Sequence, residues 1–134
     1  MSLLTDVSTY LDSASISPSL TEGTNLFLGR LMETPDTCVA ILQTSGTAPQ
    51  DVFGSSFPPI ENQGLQTLVR AKAYSDAESL AVAVFKELLK VDNQTLSSTL
   101  YYKIEASQSP FAFERDEEDR VVMSCNFNVM KILS

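Results

Sequence analysis

Apolar residues recur at helical spacing in two segments of the chain. After Ser2, a residue type that favours helix N-caps, the apolar positions 3, 4, 7, 10 and 11 form one stripe and predict a helix over about residues 2–13. The sequence Ser75-Asp-Ala-Glu78 matches a capping box. It precedes a second stripe, formed by Ala77, Leu80, Ala81, Val84, Phe85 and Leu88. This stripe predicts the main helix over about residues 75–91.

Strand-like patterns occupy much of the remaining chain. The uninterrupted apolar run from Cys38 to Leu42 is typical of a strand that is covered on both faces. Apolar and polar residues alternate over residues 65–74 and again after Arg120, where a C-terminal hairpin is expected over about residues 109–133. Further strands are expected over residues 25–32 and 100–106. The order of elements predicts a single α+β domain, residues 1–134, with one mixed or antiparallel sheet and helices packed on it.

A long irregular loop is expected over about residues 45–63. Five residues in this segment disfavour regular structure: Gly46, Pro49, Gly54, Pro58 and Pro59. Loops of this length in compact domains are uncommon and are usually functional or disordered. Three apolar residues on the loop, Phe53, Phe57 and Ile60, indicate that it packs against its own domain or against a neighbouring protein.

Composition excludes several classes of function. The net charge of −8 argues against binding nucleic acid through a broad basic face. The chain has no histidine, which removes the commonest general base, the usual catalytic triads and most zinc sites. No glycine-rich phosphate loop and no G-x-S-x-G elbow occurs. We therefore expect no enzyme activity and no cofactor, and a role in binding or assembly.

The lack of a recognisable targeting signal and the context of the two cysteines predict a protein folded in a cytoplasm. No run reaches the roughly 20 apolar residues that a membrane span needs, and the N-terminal residues do not resemble a secretory signal. Cys38 and Cys125 lie in apolar strand-like runs. Two buried, reduced thiols are favoured over a disulfide for such a pair.

The densest charge lies in the turn Asp116-Glu117-Glu118-Asp119, between Arg115 and Arg120. A calcium site would need converging oxygen ligands, and the EF-hand spacing is absent. A solvated hairpin turn is therefore favoured over a metal site. Phe111 and Phe113 precede this turn and are expected to be core or interface aromatics, because no basic residues are interleaved with them.

Arg70 and Lys72 lie on one face of the third predicted strand. Two basic groups could contact phosphate. Pairing with carboxylates at a surface or an interface is favoured for two basic groups.

Three stretches carry a resemblance to a known family. They read "PDTCVAILQTSG" from Pro35, "LQTLVRAKAYSDAESLAVAVFKELL" from Leu65 and "YYKIEASQSPFAFERDEEDRVVMSCNFNV" from Tyr101. In order and spacing they resemble the tailed-bacteriophage family of minor capsid or tail terminator proteins. The resemblance covers most of the chain from about Asn25 onward.

The resemblance implies a structural protein of the virion. Such proteins assemble as a hexameric ring on the head-proximal end of the tail tube, stop its polymerisation and form the joining surface for the neck or head-completion proteins. Viral DNA passes through the lumen without specific binding, and an acidic chain is consistent with that passage. The implied location is the tail–neck junction of a virion assembled in the bacterial host cytoplasm.

Charge and exposure suggest the surfaces that such a ring would use. Arg70 and Lys72 are expected to meet the acidic turn, residues 116–119 with Arg115 beside them, of a neighbouring subunit. The residues expected to dock onto the tube or the neck are Phe53, Phe57 and Ile60. Two alternatives remain open: another neck component, such as a head-completion or stopper protein, and a small-molecule-binding regulatory α+β domain with a pocket of converging polar groups.

Overall fold

The structure, a computed structural model, describes residues 2–50 and 59–132. The elements are α1 (Leu3–Ser13), β1 (Leu26–Leu28), β2 (Cys38–Gln50), β3 (Ile60–Ala71), α2 (Tyr74–Leu89), β4 (Asp92–Leu96), β5 (Thr99–Ala106), β6 (Phe111–Arg115) and β7 (Val121–Ile132). The strands form one mixed sheet in the order β1-β2-β3-β7-β5-β4, and β6 also pairs with β7. Only β1 runs parallel to its neighbour among these described strands. The predicted α+β fold with a mixed sheet is confirmed.

Helix α1 begins where its sequence predicts. The side chain of Ser2 caps the helix by accepting a hydrogen bond from the backbone N–H of Thr5 at 3.2 Å. Leu3, Val7 and Leu11 are buried on the face that the apolar stripe marks. Local sequence therefore determines both the start of this helix and its orientation.

Helix α2 buries the predicted stripe but lacks the predicted capping box. It begins at Tyr74, and the cap residue is Ala73, whose carbonyl accepts from the N–H of Ala77 at 3.1 Å. Ser75 therefore lies inside the first turn, and its side chain makes no cap hydrogen bond. The capping-box prediction is wrong by this offset, although the buried face remains as predicted.

Both helices pack on the same face of the sheet. In β7 the residues on this face are Val121, Met123, Cys125, Phe127 and Val129, all members of the apolar core. The intervening residues face away from the helices, so the alternation predicted for this strand is confirmed. Cys38 is paired in register with Arg70 and lies on the opposite face of the sheet, away from the helices. Both cysteines are free and buried, as expected.

The loop predicted over residues 45–63 is wrong at both ends. Strand β2 continues to Gln50, β3 already begins at Ile60, and these two residues are paired. Register shifts on either side of Thr47 accommodate the glycine and proline that suggested a loop. A side chain at Gly46 would collide with the backbone of Asn62, which explains the glycine there. Phe53 and Phe57 lie outside the described residues.

Two further boundaries differ from expectation. The strand predicted over residues 25–32 ends at Leu28, because Gly29 has a φ of +94° and its N–H donates to the carbonyl of Ile41 at 2.9 Å. Strand β4 was not predicted and pairs with β5. Within residues 2–50 and 59–132, no helix is long and apolar enough to cross a bilayer.

Candidate functional site

The acidic segment forms the turn between β6 and β7. The N–H of Asp116 donates to the carbonyl of Arg120 at 3.0 Å, and the N–H of Asp119 donates to the carbonyl of Asp116 at 3.0 Å. The Asp116 carboxylate also accepts from the N–H groups of Glu118 at 3.0 Å and Arg120 at 2.9 Å. The predicted hairpin turn is therefore present, and Asp116 organises it from inside.

Arg120 connects this turn to the segment between β1 and β2. Arg120 as a whole is only 4% exposed. Nε donates to Asp116 Oδ2 at 2.7 Å, while Nη1 donates to the carbonyl of Glu33 at 2.7 Å and to Asp36 Oδ1 at 3.2 Å. These contacts hold residues 33–36 against the turn.

Arg70 reaches the same place from β3 and is also 4% exposed. It donates to the carbonyls of Pro35 at 2.7 Å and Asp36 at 3.1 Å, and its Nη1 lies 4.0 Å from Asp116 Oδ2. We call Arg70, Arg120, Asp36 and Asp116 the arginine cluster. Arg70 was expected to meet the acidic turn of a neighbour, but the structure places it beside the turn of its own chain. Its contact with a neighbour stays a prediction.

Contacts within the arginine cluster change the pKa values of Asp116, Asp36 and Arg120. Burial raises the pKa of Asp116, but the hydrogen bonds from the backbone and side chain of Arg120 outweigh burial, and the pKa lies below its ordinary value. Asp36 follows the same pattern: burial opposes the hydrogen bonds from Lys72 and Arg120, and its pKa is lowered. For Arg120, burial lowers the pKa, but the Asp116 and Asp36 carboxylates raise it above its ordinary value. Both carboxylates are thus held ionised.

The other charged candidates are exposed. Lys72 is 75% exposed and lies 3.3 Å from Asp36, and Arg115 lies 3.4 Å from Asp119, which is 85% exposed. Glu117 and Glu118 also face solvent. The described part of the chain contains no group of three or more His, Cys, Asp or Glu side chains placed to hold a metal ion. These five side chains are available to a partner, whereas Arg70 is occupied within its own chain.

Strand β6 is a surface that its sequence did not identify as exposed. All five of its residues are exposed, including Phe111 at 41% and Phe113 at 53%. We call Phe111, Phe113 and Glu114 the β6 patch. Aromatic side chains on an edge strand are uncommon in a protein that acts alone, and they are enriched at protein interfaces.

An open groove of about 490 Å³ lies beside β1. Its lining includes Phe27, Arg30, Leu31 and Met32, which we call the β1 groove. A smaller pocket of about 220 Å³ lies next to it, over the arginine cluster. Both pockets share Leu31, Met32 and Glu33. Side chains of the segment between β1 and β2 therefore form one wall of each.

A buried polar contact beneath α1 was missed at the level of sequence. The hydroxyl of Tyr101 donates to Asp6 Oδ2 at 2.6 Å, and both side chains are fully buried. Burial and the Asp6 carboxylate raise the pKa of Tyr101 well above its ordinary value. Asp6 Oδ1 has no hydrogen-bond partner among the described residues. The available signal was the position of Asp6, three residues after Leu3 and next to Val7 on the apolar stripe.

Ile60, the one docking candidate within the described residues, is half-buried at the start of β3. It pairs with Ile132 of β7. Beside it, residues 43–49 of β2 are all exposed. This end of the sheet therefore offers both apolar and polar surface to a partner.

Both the sequence and the fold of this chain are similar to those of known virion proteins. The sequence profile of the family described as bacteriophage tail terminator protein matches residues 8–131. A search of curated protein sequences gives no match. Among solved structures, a chain of "Virion of native gene transfer agent (GTA) particle" superposes with a TM-score of 0.68 at 18% identity, covering 98% of this chain and 95% of that chain. At this identity the superposition establishes a shared fold only.

The profile match accounts for the absence of catalytic chemistry in the sequence. It spans nearly the whole chain, from Ser8 within α1 to Lys131 within β7. Tail terminators are structural proteins of the virion, so this chain is a structural component of a phage tail and not an enzyme. The chain belongs to the bacteriophage tail terminator family.

Proposed function

We propose that this protein caps the tail tube as a hexameric ring, stops tube polymerisation and presents the surface to which the head or neck is joined. The observation that carries the proposal is the family match over residues 8–131. The ring would lie at the tail–neck junction, after assembly in the host cytoplasm. Its partners would be further copies of itself, the tail tube protein and a neck or head-completion protein.

A tube of identical rings needs such a cap for a physical reason. Each added ring recreates the same open heterologous surface, so the tube has no intrinsic end. A terminator must match the tube on one side and present a different surface on the other. A small chain with several chemically distinct exposed surfaces suits this role.

We propose residues for each kind of contact. For contacts between subunits we propose the exposed charges Lys72, Arg115, Glu117, Glu118 and Asp119. For docking onto the tube or the neck we propose Ile60 together with Phe53 and Phe57. The net charge of −8 supports a lumen that repels DNA and lets it slide.

A phage that lacks this protein tests the proposal. Infected cells are expected to contain filled heads without tails, together with free tails of irregular length, and the protein supplied in trans should restore joining. Electron micrographs of the lysate give the answer. Heads without DNA would point to a head-completion or stopper role, and normal-length tails joined to heads would overturn the proposal.

A further inference from the structure

Phe27 of the β1 groove and Phe111 of the β6 patch lie at opposite edges of the sheet in one register row. Phe27 pairs with Ala40, Ala40 with Leu68, Leu68 with Ser124, and Ser124 with Phe111. Five strands span this row, so the two aromatic residues are separated by roughly 19 Å along the sheet. Every subunit therefore carries Phe27 at one end of this row and Phe111 at the other.

The β6 patch has an open backbone edge as well as apolar side chains. Strand β6 pairs with β7 on one side, and no other strand of the described residues pairs with it. A register shift between Ala112 and Glu114 marks a bulge that contains Phe113. The bulge interrupts regular pairing along this strand, and Phe113 is its most exposed large apolar side chain.

The β1 groove matches this patch in apolar character and is opposite to it in charge. Phe27 and Leu31 are half-buried along it, and Met32 is 39% exposed. Arg30 is exposed and forms no ion pair within residues 2–50 and 59–132. Glu114, in the β6 patch, is likewise exposed and has no ion-pair partner in the part of the chain that the structure describes. One surface thus offers aromatics with a carboxylate, and the other offers an apolar groove with a guanidinium.

We propose that the β6 patch of one subunit binds the β1 groove of the next. Phe111 and Phe113 contact the groove, and Glu114 pairs with Arg30. The partner is a second copy of this chain, because the two surfaces are opposite in charge, differ from each other and place Phe27 and Phe111 at opposite edges of one sheet. That is the geometry of a heterologous contact that repeats from subunit to subunit. The inference rests on the ring of the proposed function and adds the β6 patch and the β1 groove to the charged residues proposed for its subunit contacts.

Disulfide cross-linking tests the contact directly. Two variants, Arg30→Cys and Glu114→Cys, should form a covalent dimer when they are mixed under oxidising conditions on assembled rings or capped tubes. Each variant alone should form far less dimer, because a heterologous contact brings position 30 to position 114 and not to itself. The native thiols, Cys38 and Cys125, are buried and should not compete. Rings that assemble without the mixed cross-link would overturn this contact and leave the proposed function standing.

Charge reversal provides a second test. Arg30→Glu and Glu114→Arg should each weaken association by about tenfold or more, because they place like charges together. Combining both changes in one chain should restore association. Lys86→Glu, an exposed reversal on α2, is the matched control and should have little effect.

Circular dichroism should show that all four variants are folded. Unchanged assembly in both single variants would overturn the contact. A wild-type protein that neither self-associates nor binds tube ends would overturn the ring itself, and this contact with it.

Discussion

Asp116 begins the acidic turn and Arg120 follows its last residue. The two side chains are joined directly, since Nε of Arg120 donates a hydrogen bond to Oδ2 of Asp116 at 2.7 Å. Arg120 also donates to the carbonyl of Glu33, so its replacement leaves a carboxylate and a carbonyl without their donor. We expect Arg120→Lys to lower the melting temperature, because lysine lacks the planar fork that reaches both acceptors. Arg115→Lys, at the exposed end of β6, is the matched control and should change it little. Equal melting temperatures would contradict the structural role of the arginine cluster.

Acid should destabilise the protein through the same pair. The pKa of Asp116 in the folded protein lies below its ordinary value of 3.8, so the folded state binds fewer protons than the unfolded state. The resulting stabilisation is complete above the ordinary value and is lost as the pH falls through the lowered one. The free energy of unfolding should therefore decrease as the pH is lowered from about 4. Asp116→Asn should reduce that fall, as urea titrations at a series of pH values would measure.

The contact between Tyr101 and Asp6 is expected to stabilise the protein. Tyr101→Phe removes the hydrogen bond at 2.6 Å and leaves a buried carboxylate with fewer partners. The expected loss is about 1–3 kcal/mol in the free energy of unfolding. Tyr102→Phe, the neighbouring residue on β5, is the matched control and should cost less. Chemical denaturation of both variants makes the comparison, and similar losses would argue against the contact.

The three exposed carboxylates of the turn should contribute little to folding. Replacing Glu117, Glu118 and Asp119 by Gln, Gln and Asn should change the free energy of unfolding by about 0–1 kcal/mol per residue. Calcium should not raise the melting temperature of the wild type. If the turn contacts a neighbouring subunit, ring assembly should weaken in the variant and depend less on salt. A calcium-dependent rise in melting temperature would show that the turn binds metal after all.

The two phenylalanines between β2 and β3 should matter for joining and not for folding. The strand pairing on either side of this segment ends at Gln50 and Ile60, and we expect Phe53→Ser and Phe57→Ser to leave it unchanged. We expect both variants to fold with the wild-type melting temperature and to fail in restoring head-to-tail joining to a phage that lacks the protein. Full restoration of joining by both variants would remove these residues from the docking surface.

The spacing of apolar residues predicted the elements that bury one face, such as α1 and β7. The stripe around Leu3, Val7 and Leu11 and the alternation in β7 each report one buried face, and the structure has both. Strand β4, with the sequence DNQTL, has no such pattern and exists because it pairs with β5. Gly46 and Pro49 suggested a loop because they disfavour regular structure, but a bulged strand at the edge of a sheet accommodates both residues.

The assembly surfaces were harder to predict than the turn. Asp116 to Asp119 are adjacent in the chain, so their clustering is visible directly. Arg70 lies far from them in sequence, and only the pairing of β3 with β7 brings it near Asp116. The exposure of Phe111 and Phe113 has the same origin, because the sheet order leaves β6 on an open edge.

The placement of the two cysteines protects the folded protein from thiol oxidation. Cys125 faces the helices, whereas Cys38 lies on the opposite face of the sheet, two strands away. Disulfide formation needs Cα atoms within about 7 Å and converging side chains, and the intact sheet prevents both. Burial also raises the pKa of each thiol, to about 11 for Cys125, so little reactive thiolate is present. The folded chain should therefore keep one covalent structure in reducing and in aerated surroundings alike, which suits a particle that must persist outside the cell that made it.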